Sequence, residues 1–296
     1  MSQVTAADVK KLREISGAGM MDCKKALAET NGDMDAAVDY LRKKGLAAAS
    51  KKAGRVAAEG LVVAVSKGNA GVLLEVNAET DFVSKNDQFV SFVNALANII
   101  LDKAPADVEA LKALPFDAEY NVEQALSQRI ATIGENMNIR RFERFAVDGG
   151  VVASYVHGNG KIGVLLGVKG NNVADVARNI SMHVAAANPQ AIRREDVPAE
   201  MVEREKAVLS ERAAASGKPA NIIEKIVEGQ LNKFYADICL LEQDFVMDTD
   251  LKVSKALAQA DANATITAMA RYQLGEGIEK EESDFAAEVA AQVQGA

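Results

Sequence analysis

Tryptophan is absent from this sequence, and aromatic residues make up only 5% of it. A core built on large rings is thereby excluded. With hydrophobic residues at 49% and alanine abundant, helices packed closely through small side chains are expected instead. Cysteine is almost missing too. Cys23 and Cys239 stand far apart, giving neither a disulfide framework nor zinc-ligand spacing. No stretch approaches the roughly 18 apolar residues of a bilayer span, and residues 1–30 carry acids and lack the apolar stretch of a secretory signal. A soluble, cytoplasmic protein with no membrane partner is expected. Positive charge is also in deficit: 34 Lys and Arg against 42 Asp and Glu leave a net −8. Such a chain repels phosphate backbones, so no direct nucleic-acid partner is expected.

The motifs of common chemistries are missing as well. Gly160-Lys161 and Gly217-Lys218 lack both the upstream glycine and the following Ser or Thr of a phosphate-binding loop. No Gly-x-Gly-x-x-Gly follows a strand, and no spacing singles out a general acid–base pair of carboxylates. Cys23 shares a helix face with Ala26 and Leu27 and reads as a small buried hydrophobe. His183 lies with Val176, Ile180, Val184 and Ala187 on one helix face and reads as a core histidine. His157, in Ser154-Tyr155-Val156-His157-Gly158 at a hairpin tip, reads as exposed and is a candidate contact residue. An enzyme is therefore not the leading class, and no cofactor or metal is expected.

What is present is an ordered set of modules in 296 residues, enough for two domains or one with appendages. Residues 1–45 read as three short helices. Thr5 and Asp8 suit a capping box, Val9, Leu12 and Ile15 an apolar side, Asn31-Gly32 a helix stop, Asp33 a cap, and Gly45 the end of the unit. So small a bundle has a thin core and suits docking better than catalysis. A basic, alanine-rich linker follows.

An internal repeat comes next. Leu61–Val65, a turn at Lys67-Gly68-Asn69-Ala70 and Gly71–Val76 form a predicted β-hairpin. Val151–Val156, a turn at Gly158-Asn159-Gly160 and Ile162–Val168 form another. Gly71-Val72-Leu73-Leu74 is matched by Gly163-Val164-Leu165-Leu166, and a helix follows each copy. The class expected is α+β, with a pseudo-symmetric two-part core. Helices near 198–215 and 219–236 then suggest a helical hairpin whose apolar stripe could meet its own arm or a second copy. A final amphipathic helix carries Phe285, Val289 and Val293. The division expected is 1–54, 55–148, 149–190 with 232–276, 191–231 as the hairpin, and 277–296 as a terminal helical module.

The two copies differ in their strand-to-helix connectors. The second uses only Lys169-Gly170-Asn171-Asn172. The first uses Ala78-Glu79-Thr80-Asp81-Phe82-Val83-Ser84-Lys85. Residue type alone places Phe82 inside, but a longer connector than the fold requires marks Thr80, Asp81, Phe82 and Val83 as a candidate site.

Several stretches resemble the bacterial elongation factor Ts family. They are Ser16-Gly17-Ala18-Gly19-Met20-Met21-Asp22-Cys23-Lys24-Lys25-Ala26-Leu27, Thr80-Asp81-Phe82-Val83, Gly134-Glu135-Asn136-Met137-Asn138-Ile139-Arg140-Arg141, His183-Val184-Ala185-Ala186, Ser216-Gly217-Lys218-Pro219 and Gly275-Glu276-Gly277-Ile278-Glu279-Lys280. They are collinear over essentially the whole chain. The resemblance implies a guanine nucleotide exchange factor for elongation factor Tu in translation elongation. It also implies an N-terminal module like ubiquitin-associated domains and a coiled-coil hairpin used in dimerisation. It assigns partner contacts to Leu12, Arg13, Met20, Met21 and the last helix, Mg²⁺ displacement to Thr80–Val83, and a further contact to His157. The alternative from another class is a passive interaction scaffold without exchange activity.

Overall fold

The computed structural model describes residues 4–16, 18–215 and 219–279. Three helices come first: α1 (Ala6–Ser16), α2 (Met20–Glu29) and α3 (Met34–Lys52). The capping box is formed. Thr5 N–H donates to Asp8 Oδ2 at 3.0 Å, and Asp8 N–H donates to Thr5 Oγ1 at 3.2 Å. Asp33 Oδ1 accepts from Ala36 N–H at 3.0 Å and starts α3. Val9, Leu12, Leu27 and Leu41 anchor the small core, whereas Ile15, expected on the same side, is exposed. The unit does not close at Gly45. α3 continues through it to Lys52, and a Cβ at Gly45 would lie 3.4 Å from Gln128 Nε2. Close packing on the helix that carries Gln128, with good helix formers on either side, outweighs the roughly 1 kcal/mol that a glycine costs a helix.

β1 (Glu59–Lys67) and β2 (Ala70–Ala78) form the first hairpin. α4 (Asp87–Lys103), α5 (Val108–Ala113) and α6 (Val122–Ile133) follow, and β3 (Met137–Ala146) returns to pair antiparallel with β2. The second copy is β4 (Gly150–His157), β5 (Ile162–Lys169) and α7 (Ala174–Ala187). After it come α8 (Ala199–Ala214) and α9 (Ala220–Ile238), which pack on each other through Leu209, Ala213 and Val227. A short ribbon, β6 (Asp244–Phe245) with β7 (Asp248–Lys252), and α10 (Val253–Ala260) lead to β8 (Thr265–Gln273). The two main sheets have orders β1-β2-β3 and β4-β5-β8, all antiparallel. The class is α+β. The helix expected from Phe285, Val289 and Val293, and the turn at 216–218, lie outside the described residues.

The repeat is physical as well as textual. β2 turns Val72, Leu74 and Val76 toward α4 and α6, and Leu73 toward the other sheet. β5 turns Val164, Leu166 and Val168 toward α7, and Leu165 toward the first sheet. A Cβ on Gly71 would lie 2.6 Å from Val152 and 2.8 Å from Leu165. One on Gly163 would lie 2.5 Å from Val62 and 2.6 Å from Leu73. Each repeat's glycine therefore admits two side chains of the other repeat. The hairpins also exchange main-chain bonds, from Val62 N–H to Gly160 O at 2.8 Å and from Val152 N–H to Gly68 O at 3.1 Å. Even the bulges correspond, falling at Glu75/Val76 and at Gly167/Val168.

Candidate functional site: an exposed ring on a pinned loop

β2 stops pairing with β3 at Ala78, opposite Met137. Beyond that point carboxylates bridge the continuations of the two strands. Glu135 Oε2 accepts from Thr80 N–H at 2.9 Å, and Glu135 Oε1 accepts from the Thr80 hydroxyl at 2.6 Å. Glu79 Oε1 accepts from Asn136 N–H, and Arg55 lies 3.5 Å from the same oxygen. Further along, the Ser84 hydroxyl donates to Asp81 O at 2.6 Å. A 3₁₀ turn spans Val83–Lys85, and Asn86 then caps α4 by accepting from Gln88 and Phe89 N–H. Val83 is buried in the core of the first half. Phe82, its neighbour, is 78% exposed, contrary to the expectation from residue type alone. Asp81 is exposed as well, and its carboxylate makes no hydrogen bond or ion pair among the described residues. Of the four residues singled out from sequence, Val83 anchors, Thr80 is tied, and Asp81 and Phe82 face outward.

The N-terminal candidates divide in the same way. Met20 is 59% and Met21 74% exposed, and with Arg13 and Val9 they line a groove between α1 and the first turn of α2. Leu12 is fully buried in the bundle core. It cannot touch a partner in the folded bundle. At position i+3 from Val9 it lies on the inward stripe of α1, so it supports the groove from beneath.

His157 is exposed, with Tyr155 Oη 3.0 Å from its Nδ1. The two line a second apolar groove with Ile162, Met182, Val246 and Met247. Val246 and Met247, both about half exposed, sit in the turn between β6 and β7, a ribbon that sequence reading missed because it is too short to show alternation. His183 lies beneath this turn and is buried. Its Nδ1 accepts from Val246 N–H at 3.2 Å, so Nε2 carries the proton and donates to Gln243 Oε1 at 2.9 Å. Burial pushes its pKa down, and the Gln243 bond only partly opposes that. It is the satisfied core histidine expected. Cys23 is likewise enclosed in the bundle.

A buried acid was also missed. Glu75 is inaccessible to solvent. Its Oε1 accepts from Gly275 N–H at 2.8 Å, Arg140 Nη1 at 2.9 Å and Asn77 Nδ2 at 3.1 Å, and its Oε2 accepts from Arg141 Nε at 2.7 Å. Burial pushes this carboxyl up, but the Gly275 amide and the two arginines outweigh it and hold the pKa below the usual glutamate value. Gly275 takes φ +71°, and a Cβ there would lie 2.3 Å from Ala58 O, so the turn after β8 is clamped where only glycine fits. The signal in the sequence was a lone acid in Leu73-Leu74-Glu75-Val76 and paired arginines in the strand that returns beside it.

Among the described residues no cluster of three or more His, Cys, Asp or Glu could hold a metal ion, and no helix is long and apolar enough to cross a membrane. Exposed apolar side chains thus stand on separate elements, the sheets and the helical bundle, and surfaces of this kind commonly mark protein contacts. The chain belongs to the elongation factor Ts family. The model of that family, described as elongation factor TS, matches residues 79–276. Relatives named Elongation factor Ts include one from Trichlorobacter lovleyi, 55% identical over 97% of this chain and 98% of its own length. Others come from Magnetococcus marinus, 54% identical over 99% of each chain, and Bartonella henselae, 54% identical over 99% of each.

Proposed function

We propose that this chain is a guanine nucleotide exchange factor, not an enzyme, which promotes GDP release from elongation factor Tu. The observation that carries the reading is Phe82, 78% exposed on a loop fixed at both ends. A GTPase holds GDP through phosphate-loop amides and Mg²⁺. An exchange factor must bind the nucleotide-free state better, and the coupling is reciprocal. Phe82 acts as a wedge that shifts the elements holding Mg²⁺, and Asp81 meets donors exposed by that shift.

Magnitudes set the division of labour. Accelerating release about ten-thousand-fold needs about 5.5 kcal/mol of barrier reduction. Burying one Phe side chain supplies about 1.5–3 kcal/mol. The remainder must come from contacts elsewhere, over an interface of roughly 2,000 Å² or more. Arg13, Met20 and Met21 on the N-terminal bundle and the groove beside His157 are the surfaces assigned to that task. The hairpin of α8 and α9, with Val208 and Ile222 exposed outside its seam, is assigned to self-association.

The test is release of fluorescent GDP from elongation factor Tu. Phe82→Ala should slow release markedly and leave most of the binding intact. Unchanged release would sink the wedge, and binding without faster release by the unaltered chain would favour a passive scaffold.

A further inference from the structure

Phe82 lies between two fixed points. On one side Val83 is buried among the residues under α4. On the other, Thr80 is held by both of its polar hydrogens. The bonds from Thr80 N–H and Oγ1–H reach the two oxygens of one carboxylate, Glu135, at 2.9 and 2.6 Å. The register explains why a side chain performs this task. β2 and β3 pair as far as Ala78 opposite Met137. One step further, Glu79 would face Asn136, and two steps further Thr80 would face Glu135. At both places a side-chain carboxylate accepts a main-chain N–H from across the gap: Glu79 takes Asn136 N–H, and Glu135 takes Thr80 N–H. The ladder is thus prolonged by two residues through side chains, and it ends two residues before Phe82. Bonds to a charged acceptor are shorter and stronger than neutral ones, which suits a strap at a sheet edge.

We infer that Glu135 is a positioning residue for exchange: it touches no nucleotide and instead fixes the direction in which Phe82 leaves the sheet. The inference rests on the reading of Phe82 as the wedge. Without the strap, Thr80 to Phe82 are tied only through the following turn, and the ring samples directions that do not meet the partner. A reacting group misplaced by about 1 Å can lose on the order of a hundredfold in rate.

The test compares Glu135→Ala, Glu135→Gln, Phe82→Ala and the Phe82→Ala/Glu135→Ala double variant in two measurements. The first is release of fluorescent GDP from elongation factor Tu. The second is amide hydrogen exchange of the free protein, read residue by residue by NMR. Glu135→Ala is expected to slow release roughly tenfold to a hundredfold and to speed exchange at the Thr80 amide, with β2 and β3 still protected. Glu135→Gln keeps an acceptor for Thr80 N–H and offers its own N–H to the hydroxyl, which can turn to accept. It should restore most of the rate. The double variant should release GDP no more slowly than Phe82→Ala alone. Thr80→Val, which removes only the hydroxyl contact, should shift release in the same direction by less. A wild-type rate for Glu135→Ala beside a slow Phe82→Ala overturns the inference and spares the wedge. So does an unchanged Thr80 amide, or a double variant slower by the full Glu135 effect. A wild-type rate for Phe82→Ala brings down the wedge and this inference together.

Discussion

The two halves of the core share a hairpin, a bulge, a packing glycine and a covering helix, and differ at two matched places. At the bulge the first half has Glu75 where the second has Gly167. At the strand-to-helix connection the first has an eight-residue loop bearing Phe82, where the second passes from β5 to α7 through Gly170–Val173. Everything common to both copies builds the core, either under each half's helix or between the two sheets. The two departures do something else: one clamps the turn after β8, and the other presents an apolar ring to solvent. A repeat thus acts as an internal control. What both copies keep serves the fold, and what one copy alone carries is where function is to be sought.

The comparison can be broken directly. Replacing 79–86 with the second half's Gly-Asn-Asn-Val should remove roughly a thousandfold of the GDP-release acceleration, about 4 kcal/mol of barrier. The sheets should still unfold cooperatively in urea. A chimera that still exchanges nucleotide at the original rate would show that the connector is only a connector. Next in size is Glu75→Ala. It leaves Arg140 and Arg141 facing an empty acceptor site and should cost about 3 kcal/mol of unfolding free energy in denaturant titration. Gly71→Ala and Gly163→Ala should each cost about 2 kcal/mol through overpacking. Similar values for the pair would sharpen the pseudo-symmetry, and a large disparity would break it.

The smallest effect is on pH. His183 and Glu75 both have folded pKa values below their ordinary ones, so each adds stability at neutral pH that is lost on acidification. As pH falls below the ordinary imidazole value of 6.5, the unfolded chain takes up a proton that the buried ring refuses. That loss continues down to the lower folded value. For Glu75 the corresponding loss begins only below 4.5. The second half should therefore weaken first. Urea unfolding across pH should show the upper step vanish in His183→Gln and the lower one in Glu75→Gln.

Much of this was legible in the sequence. Hairpins, caps at Thr5 and Asp33, and the matched Gly-Val-Leu-Leu segments follow from local rules, because turn and cap chemistry acts within a few residues. What escaped depends on partners distant in the chain. Gly45 reads as a helix stop until Gln128 is known to lie against it. Leu12 reads as a contact by resemblance, but the packing of α1, α2 and α3 encloses it. Glu135 stood inside a recognised motif, yet its bond to Thr80 spans 55 positions, beyond any local pattern. Phe82 was found by an absence of symmetry, and Val246 and Met247 by nothing in the sequence at all.

The edge of β5 carries one further consequence. Its partner β8 is the last strand among the described residues, and their pairing runs from Ile162 opposite Gln273 to Lys169 opposite Thr265. During synthesis the first sheet can close once Ala146 is made. The second must wait, with an unpaired edge, while the whole helical hairpin is translated. Long-range pairing of this kind is slow, and an open edge invites association with other chains. Nascent chains that stall between Lys169 and Thr265 should therefore be the ones that aggregate, and the late arrival of β8 is the step at which this fold becomes safe.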